Sequence, residues 1–277
     1  MLIQYVALTS ETGELDFSDL ARVAGALQKQ GTRDFQPVWG VSAVITAYAR
    51  LEDIPLGYWP IIVKKGIGMP GVAGVHLDSD GQPYALVELS ELWSLTASHE
   101  YIEMLADPFG NRLVAGNSLK KGQGRVEYLV EVCDPSEAEE FAYRVNDVLV
   151  SDFYTPRYFD PVASPGVQYS FTGAIREPRQ VLQDGYLSWH DPVDDRWWQA
   201  QHFGPKLKIV DLGKLPADAK SLREEVDKLS YRPRKQSAKA ALLAAAVTKT
   251  GGAVQAKSSK AHMWRAEIAA LQKTAPA

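Results

Sequence analysis

The chain contains 277 residues, of which 45% are hydrophobic and 23% are charged, and its formal net charge is −4. This balance is typical of a globular protein with a substantial core, and it makes nucleic acid an improbable partner for the main body. The single cysteine, Cys133, excludes an intrachain disulfide and a thiolate-rich metal site, so any metal must be held by nitrogen and oxygen ligands.

The N-terminal sequence MLIQYVALTSETGELD lacks the basic start and the long apolar stretch of a signal peptide. No later apolar run approaches the length of a membrane-spanning helix. We therefore expect a cytoplasmic protein with no membrane partner.

The first third of the chain predicts several strands and one early helix. LIQYVALT alternates as a strand does, and residues 16–30 have the spacing of an amphipathic helix. Four more strands are predicted in PVWGVSAVITAYA, YWPIIVKK, AGVHLD and YALVEL. The segment DSDGQP, between the last two, is typical of a hairpin turn.

A helix is predicted over residues 91–107. Pro108 disfavours helical geometry in the residue before it, and Gly110 adds a second break. The helix is apolar almost all round, which indicates burial on most sides. Because buried carboxylates need partners, its polar residues mark a candidate site: they are His99, Glu100, Glu103 and Asp107.

The composition of the second half of the chain differs between two regions. Extended segments are predicted in RLVAG, RVEYLVEVCDP and VNDVLVSDFYTP, within a region rich in Tyr, Pro and Gly that runs to Pro205. From Asp227 to Glu267 no acidic residue occurs, and the Ala- and Lys-rich sequence predicts helices separated by a flexible joint. We therefore predict an α+β domain over residues 1–205 and a basic extension, partly helical or flexible, over residues 206–277.

His99, Glu100 and Glu103 form a His-Glu-x-x-Glu motif. In the related His-Glu-x-x-His motif, the first and fifth positions bind zinc and the second is the general base. Residues four apart lie on one face of a helix, so His99 and Glu103 are the predicted metal ligands. Glu100 is the predicted catalytic base.

A further ligand is expected from the sequence VEYLVEVCDP. Glu131 is the first choice, because strand alternation puts Glu131 and Cys133 on one face, opposite apolar neighbours. Asp134 is the alternative. Both carboxylates could instead belong to a helix start in CDPSEAEE, where negative charge is favourable.

The motifs ASHEYIEMLADP and EVCDP resemble those of the zincin-like metallopeptidases, and in particular a His-Glu-x-x-Glu variant group of largely uncharacterised bacterial proteins. VSDFYTPRYFDP, YSFTGAI and GYLSWHDP are similar to the same group. The resemblance covers residues 1–205. It implies a zincin-like α+β fold: a twisted mixed sheet with a buried active-site helix, then a strand- and loop-rich region and a helical basic tail.

The same resemblance implies a metal-dependent peptidase with a peptide or protein substrate. YALVELS would be the edge strand that pairs with an extended substrate, and Glu100 would take a proton from the attacking water. The candidate oxyanion partners are Tyr154, Tyr158 and His190, and Tyr158 is the one we predict to be catalytic.

Glu103 replaces the second histidine of the peptidase motif, and this departure affects the chemistry. Two carboxylates largely neutralise a divalent ion, so bound water is acidified less and peptidase activity is less favoured. Oxygen-rich ligation also favours manganese, magnesium or calcium, although the imidazole keeps zinc as the first expectation.

Two other hypotheses remain open. A metal could join the helix to later strands in a structural or interaction protein of a larger assembly, with the basic tail contacting a protein partner. Alternatively, no metal binds and basic residues such as Arg112, Arg125 or Arg144 neutralise the acidic helix. His76 is expected to be an ordinary packing or hydrogen-bonding residue.

Overall fold

The computed structural model describes residues 3–69, 71–79 and 81–230, which form an α+β structure. The helices are α1 (Phe17–Lys29), α2 (Gln36–Trp39), α3 (Trp93–Ala106) and α4 (Leu222–Ser230), with a π-helix, Gln30–Phe35, between α1 and α2. The strands are β1 (Ile3–Ser10), β2 (Ser42–Ala47), β3 (Trp59–Lys64), β4 (Gly74–Ser79), β5 (Gln82–Glu88), β6 (Leu113–Asn117), β7 (Arg125–Leu129), β8 (Tyr143–Val145), β9 (Val148–Val150), β10 (Tyr186–Asp191), β11 (Arg196–Gln201) and β12 (Lys208–Gly213).

The first sheet has five strands in the order β2-β1-β3-β5-β4. Its strands are parallel except β4, which pairs with β5 in the antiparallel direction. Ser79 pairs with Gln82 across a two-residue turn, and Gly81 supplies the positive φ of 84° that the turn requires. The predicted hairpin is therefore confirmed.

The prediction that YALVELS is an edge strand is wrong. β5 pairs with β3 on one side and with β4 on the other, so β4 is the edge. The physical reason is burial: Ala85 and Val87 of β5 are fully buried, which suits a central strand. The hairpin then folds the preceding strand onto the outer side of the sheet.

One predicted strand begins as a helix instead. In PVWGVSAVITAYA, the first three residues belong to α2, and only residues 42–47 form β2. Pro37 stands in the first turn of α2, where its missing N–H costs nothing. Gly40 ends α2 in the left-handed conformation, with φ of 72°.

The second sheet is antiparallel and has the order β12-β11-β10-β7-β6. β12, which begins after the predicted domain boundary at residue 205, pairs with β11 of the same sheet. The first compact unit runs to Arg234. The helices predicted beyond residue 230, and the partner contact proposed for them, lie outside the described residues.

The helix α3 packs between β3, β4 and β5 of the first sheet and β9. Its end at Ala106, followed by Asp107 and Pro108, confirms the predicted stop. Tyr101, Ile102, Glu103 and Met104 are all fully buried, which confirms the burial predicted from the apolar faces. In the part of the chain that the structure describes, no helix is long and apolar enough to cross a membrane.

Tyr101 joins α3 to the π-helix and supports a test of this packing. A Cβ placed on Gly31 would overlap the Tyr101 hydroxyl, which is buried. Gly31→Ala is therefore expected to lower the free energy of unfolding by about 1–3 kcal/mol. Gly25→Ala is the control, because Gly25 lies in α1 with nothing within 4 Å, and it should stabilise by up to about 1 kcal/mol. Urea denaturation giving equal changes for both variants would contradict this packing.

Candidate metal centre

Carboxylate and imidazole side chains from three parts of the chain meet beside α3. Among the described residues, four groups of three donor atoms lie within 4.8 Å of one another: three combine α3 with the segment after β7, and one combines α3 with β4. Two of the groups include Cys133 or Glu137. The other members are His76 on β4, His99, Glu100 and Glu103 on α3, and Glu131 and Asp134 after β7. We call this set the acidic cluster.

The distances around His99 are those of ligands that share one ion. His99 Nε2 lies 3.2 Å from Glu103 Oε2 and 3.2 Å from Asp134 Oδ1. Zinc binds nitrogen and oxygen at about 2.0–2.2 Å in tetrahedral sites, which separates neighbouring ligand atoms by about 3.3–3.5 Å. Both distances from His99 Nε2 are close to this separation, so His99 is placed to share a small divalent ion with either carboxylate.

Several polar atoms of the acidic cluster are buried without a hydrogen-bond partner among the described residues. They include Glu103 Oε2 and both carboxylate oxygens of Asp134. His99 therefore lies within ion-pair distance of Glu103 and Asp134, but neither contact has the geometry of a hydrogen bond. Leaving such atoms unsatisfied is costly, and an ion between them would satisfy all three residues.

Glu103 is oriented by the backbone of the segment after β7. Its Oε1 accepts a hydrogen bond of 3.0 Å from the backbone N–H of Cys133, which leaves Oε2 to face His99. Burial alone would raise the pKa of Glu103, but the positive charges of His99 and Arg223 outweigh burial and lower it. Glu103 is therefore held as a carboxylate, the form that binds metal.

His99 is the most exposed ligand candidate, although only 13% of its side chain is accessible. Burial alone would lower its pKa, but Glu103 and Asp134 raise the pKa well above the ordinary value. A proton and a metal ion therefore compete for Nε2, and metal binding must release a proton.

Glu131, the first choice for the further ligand, has one oxygen engaged with Arg223, while its Oε1 is buried without a hydrogen-bond partner among the described residues. β7 ends at Leu129, so the strand alternation used to orient Glu131 does not reach it. Its Oε2 accepts a short hydrogen bond from Nε of Arg223, and burial raises the pKa of Glu131 well above its ordinary value. Asp134 is the candidate whose Oδ1 directly contacts His99, and burial raises its pKa as well.

Arg223 is a member of the site that sequence reasoning missed. Besides bonding Glu131, it donates from Nη1 to the backbone oxygen of His76 at 2.8 Å. Its Nη2 lies 3.8 Å from Glu100 Oε2 and 3.7 Å from Glu103 Oε2. The sequence assigned this arginine to the extension, and only its place beside the apolar Leu222 and Val226 hinted at burial.

The basic residues suggested for a metal-free site lie elsewhere. Arg112 donates to the backbone of Ala106 and packs over the ring of Trp39. Arg144 donates to a backbone oxygen at the surface, and Arg125 is exposed. Only Arg223, among the described arginines and lysines, reaches the carboxylates of the cluster.

The cluster contains more buried carboxylates than buried arginines. Four buried carboxylates, those of Glu100, Glu103, Glu131 and Asp134, face one buried guanidinium. If all four carboxylates are ionised and both histidines are neutral, the net charge of the cluster is minus three. A divalent ion would reduce it to minus one. Protonated histidines are the alternative source of positive charge.

His76, expected to be an ordinary packing or hydrogen-bonding residue, makes a hydrogen bond and also lies inside the cluster. Its Nε2 is 3.2 Å from the backbone oxygen of Asp107, which can only accept, so Nε2 carries the hydrogen. Nδ1 lies 3.5 Å from Glu100 Oε2 and 3.7 Å from Glu103 Oε2. Asp107 itself accepts hydrogen bonds from Asn111 N and Arg112 N and ends the helix, as expected.

Tyr158 does not face the cluster as a free donor. Its hydroxyl donates to the backbone oxygen of Gln180 at 2.9 Å. Tyr154 stacks on Tyr158 at 4.3 Å, and its hydroxyl is buried without a hydrogen-bond partner among the described residues. Burial raises the pKa of Tyr154, and Tyr158, then Glu131, raise it further. Tyr154 therefore replaces Tyr158 as the candidate oxyanion partner.

The third candidate, His190, belongs to a different surface. Its ring nitrogens lie 3.0 Å from Glu127 and 3.2 Å from Asp195, at the exposed side of the second sheet. Asp195 is well exposed and Glu127 partly exposed, so this arrangement is a solvated surface network.

No model of a known protein family, no curated protein and no solved structure matches the chain. The interpretation of the acidic cluster therefore depends on its own geometry and chemistry.

Proposed function

We propose that the protein binds one divalent metal ion, zinc before manganese, magnesium or calcium, and that the ion forms a zincin-like hydrolytic centre. His99, Glu103 and Asp134 are the ligands. The observation that carries the proposal is the pair of 3.2 Å separations from His99 Nε2 to two buried carboxylate oxygens that lack hydrogen-bond partners among the described residues.

The arrangement of the first sheet supports a zincin-like fold. α3 follows β5 after four residues and packs against the same sheet, so the His-Glu-x-x-Glu motif lies beside the antiparallel edge strand β4. An exposed edge strand can pair with an extended peptide. This favours a peptide or protein as the substrate.

The proposed reaction is hydrolysis of an amide bond. A divalent ion held by these residues would supply Lewis acidity to the scissile carbonyl and to water. Glu100 accepts a proton from water as the oxygen bonds to the carbonyl carbon. It then delivers this proton to the nitrogen of the leaving amine as the carbon–nitrogen bond breaks.

His76 and Tyr154 assist through their hydrogen-bonding atoms. Because Nε2 of His76 donates to a backbone oxygen, its Nδ1 can accept a hydrogen bond from Glu100 after Glu100 is protonated. The Tyr154 hydroxyl donates to the oxygen that gains negative charge. Both groups thus stabilise species that form only during the reaction.

The test is hydrolysis of a protease substrate such as casein by the zinc-loaded protein and by Glu100→Gln. Removal of a general base is expected to lower the rate about 10²- to 10⁴-fold, with zinc content unchanged. Glu127→Gln, at a partly exposed glutamate, is the control and should match the parent. A parent activity that Glu100→Gln leaves unchanged would contradict the proposed role of Glu100.

A second candidate function is a catalytically inactive protein in which the metal only stabilises the structure. Burial favours it, because Glu100 is 3% exposed and a Cβ on Gly74 of β4 would lie 2.7 Å from its Oε1. For such a protein we expect no hydrolysis by the parent and no change of melting temperature in Glu100→Gln. His99→Ala should still lower the melting temperature measured in the presence of zinc.

A further inference from the structure

The segment after β12 covers the acidic cluster. We call residues 214–230, which end in α4, the C-terminal strap. It is fixed beside the end of α3 by three hydrogen bonds of 2.9 Å: Arg223 N donates to Gly110 O, Leu222 N donates to Asn111 Oδ1, and Asn111 Nδ2 donates to Lys220 O.

The strap inserts one side chain into the cluster. Arg223 is 4% exposed, and its guanidinium bonds Glu131 and lies within 4 Å of Glu100 and Glu103. The proposed base, Glu100, is thus enclosed between Arg223 on one side and β4 on the other. A substrate cannot reach Glu100 while the strap is in place.

The rest of the strap packs through one small apolar cluster, against which Leu215 and Leu222 also pack. Val226 is its fully buried apolar residue, in a small cluster with Leu129 and Trp197. On the outer face of α4, Lys228 pairs with Glu224 and Glu225 of the same helix. An isolated helix of nine residues is marginal in water, and release would rehydrate the carboxylates, so local undocking costs less than global unfolding.

We propose that the C-terminal strap is an autoinhibitory segment, with Arg223 as the group that blocks the metal centre. This inference rests on the proposed function, since it assigns the regulation of the same site. Docking of the strap closes the centre to substrate and to chelators, and undocking opens it without loss of the metal ligands, none of which lies on the strap.

Gly110→Ala is the variant that tests the proposal. A Cβ on Gly110 would lie 2.6 Å from Ser221 Oγ and 2.9 Å from Arg223 Cβ, so the methyl group pushes directly on the strap. Gly110 has a φ of 62°, and alanine there also strains the backbone. Gly122→Ala is the matched control, because Gly122 has a φ of 84° but nothing within 4 Å.

The measurement is the rate at which zinc passes from the full-length protein to a chromogenic chelator in excess. Gly110→Ala is expected to release zinc at least about tenfold faster than the parent and Gly122→Ala, with equal zinc content at the start. Equal rates in all three proteins overturn the proposal. If Gly110→Ala does not fold, Asn111→Ala, which removes two of the strap bonds, takes its place with the same expected result.

If the parent protein contains no zinc, that result contradicts the proposed metal centre but does not test whether the C-terminal strap closes the site. Closure is then judged by hydrogen exchange of the α4 amides. Faster exchange of the α4 amides in Gly110→Ala than in Gly122→Ala supports a strap that undocks locally. If these amides exchange only through global unfolding in every protein, the proposal of local undocking is overturned.

Discussion

Glu103→Gln is expected to abolish tight zinc binding while preserving the fold. The amide oxygen can still accept the hydrogen bond from Cys133 N, but the amide lacks the negative charge that faces His99. Loss of a charged ligand should weaken zinc binding by at least about 100-fold, since even groups behind the ligands contribute 10- to 100-fold. Calorimetric titration of chelator-treated protein with zinc measures the change.

Glu103→Ala separates the structural role of Glu103 from its role as a ligand. It also removes the acceptor for Cys133 N, which is buried, so it should lower the free energy of unfolding by a further 1–3 kcal/mol or so. Tight zinc binding by Glu103→Gln would show that Glu103 is not a ligand.

Asp134→Asn and Glu131→Gln are expected to have opposite outcomes. Asp134 Oδ1 contacts His99 Nε2 directly, so its substitution should remove most of the bound zinc. Glu131 is bonded to Arg223, and glutamine can accept that hydrogen bond, so Glu131→Gln should keep its zinc. Zinc content after dialysis, measured by mass spectrometry, compares the two. Loss in Glu131→Gln with retention in Asp134→Asn would restore Glu131 as the third ligand.

The local features of the site could be predicted from the sequence because they depend on neighbouring residues. Helical spacing places His99 and Glu103 on one face, and Pro108 ends the helix that carries them. The same reasoning placed the hairpin before α3, since a two-residue turn with Gly81 is a short-range signal.

The parts that failed depend on distant contacts. Arg223 is 92 residues from Glu131, and no local pattern identifies that pair. His76 enters the cluster only because β4 folds back to the edge of the sheet. The strand alternation used to orient Glu131 failed because it was extended past Leu129, where β7 ends.

The tyrosines show a related limit. Sequence reasoning brought Tyr154 and Tyr158 to the same region, and the structure stacks their rings. Which hydroxyl is available depends on Gln180, whose backbone oxygen accepts from Tyr158. A hydrogen bond across 22 residues of irregular chain lies beyond spacing rules.

The most direct test of a metal centre at His99, Glu103 and Asp134 is the metal content of protein purified without a chelator or a metal-affinity tag. We expect about one equivalent of zinc in the parent and little in His99→Ala, with zinc raising the melting temperature of the parent alone. No metal in either protein, with melting temperatures that do not change when metals are added back, would contradict the metal centre.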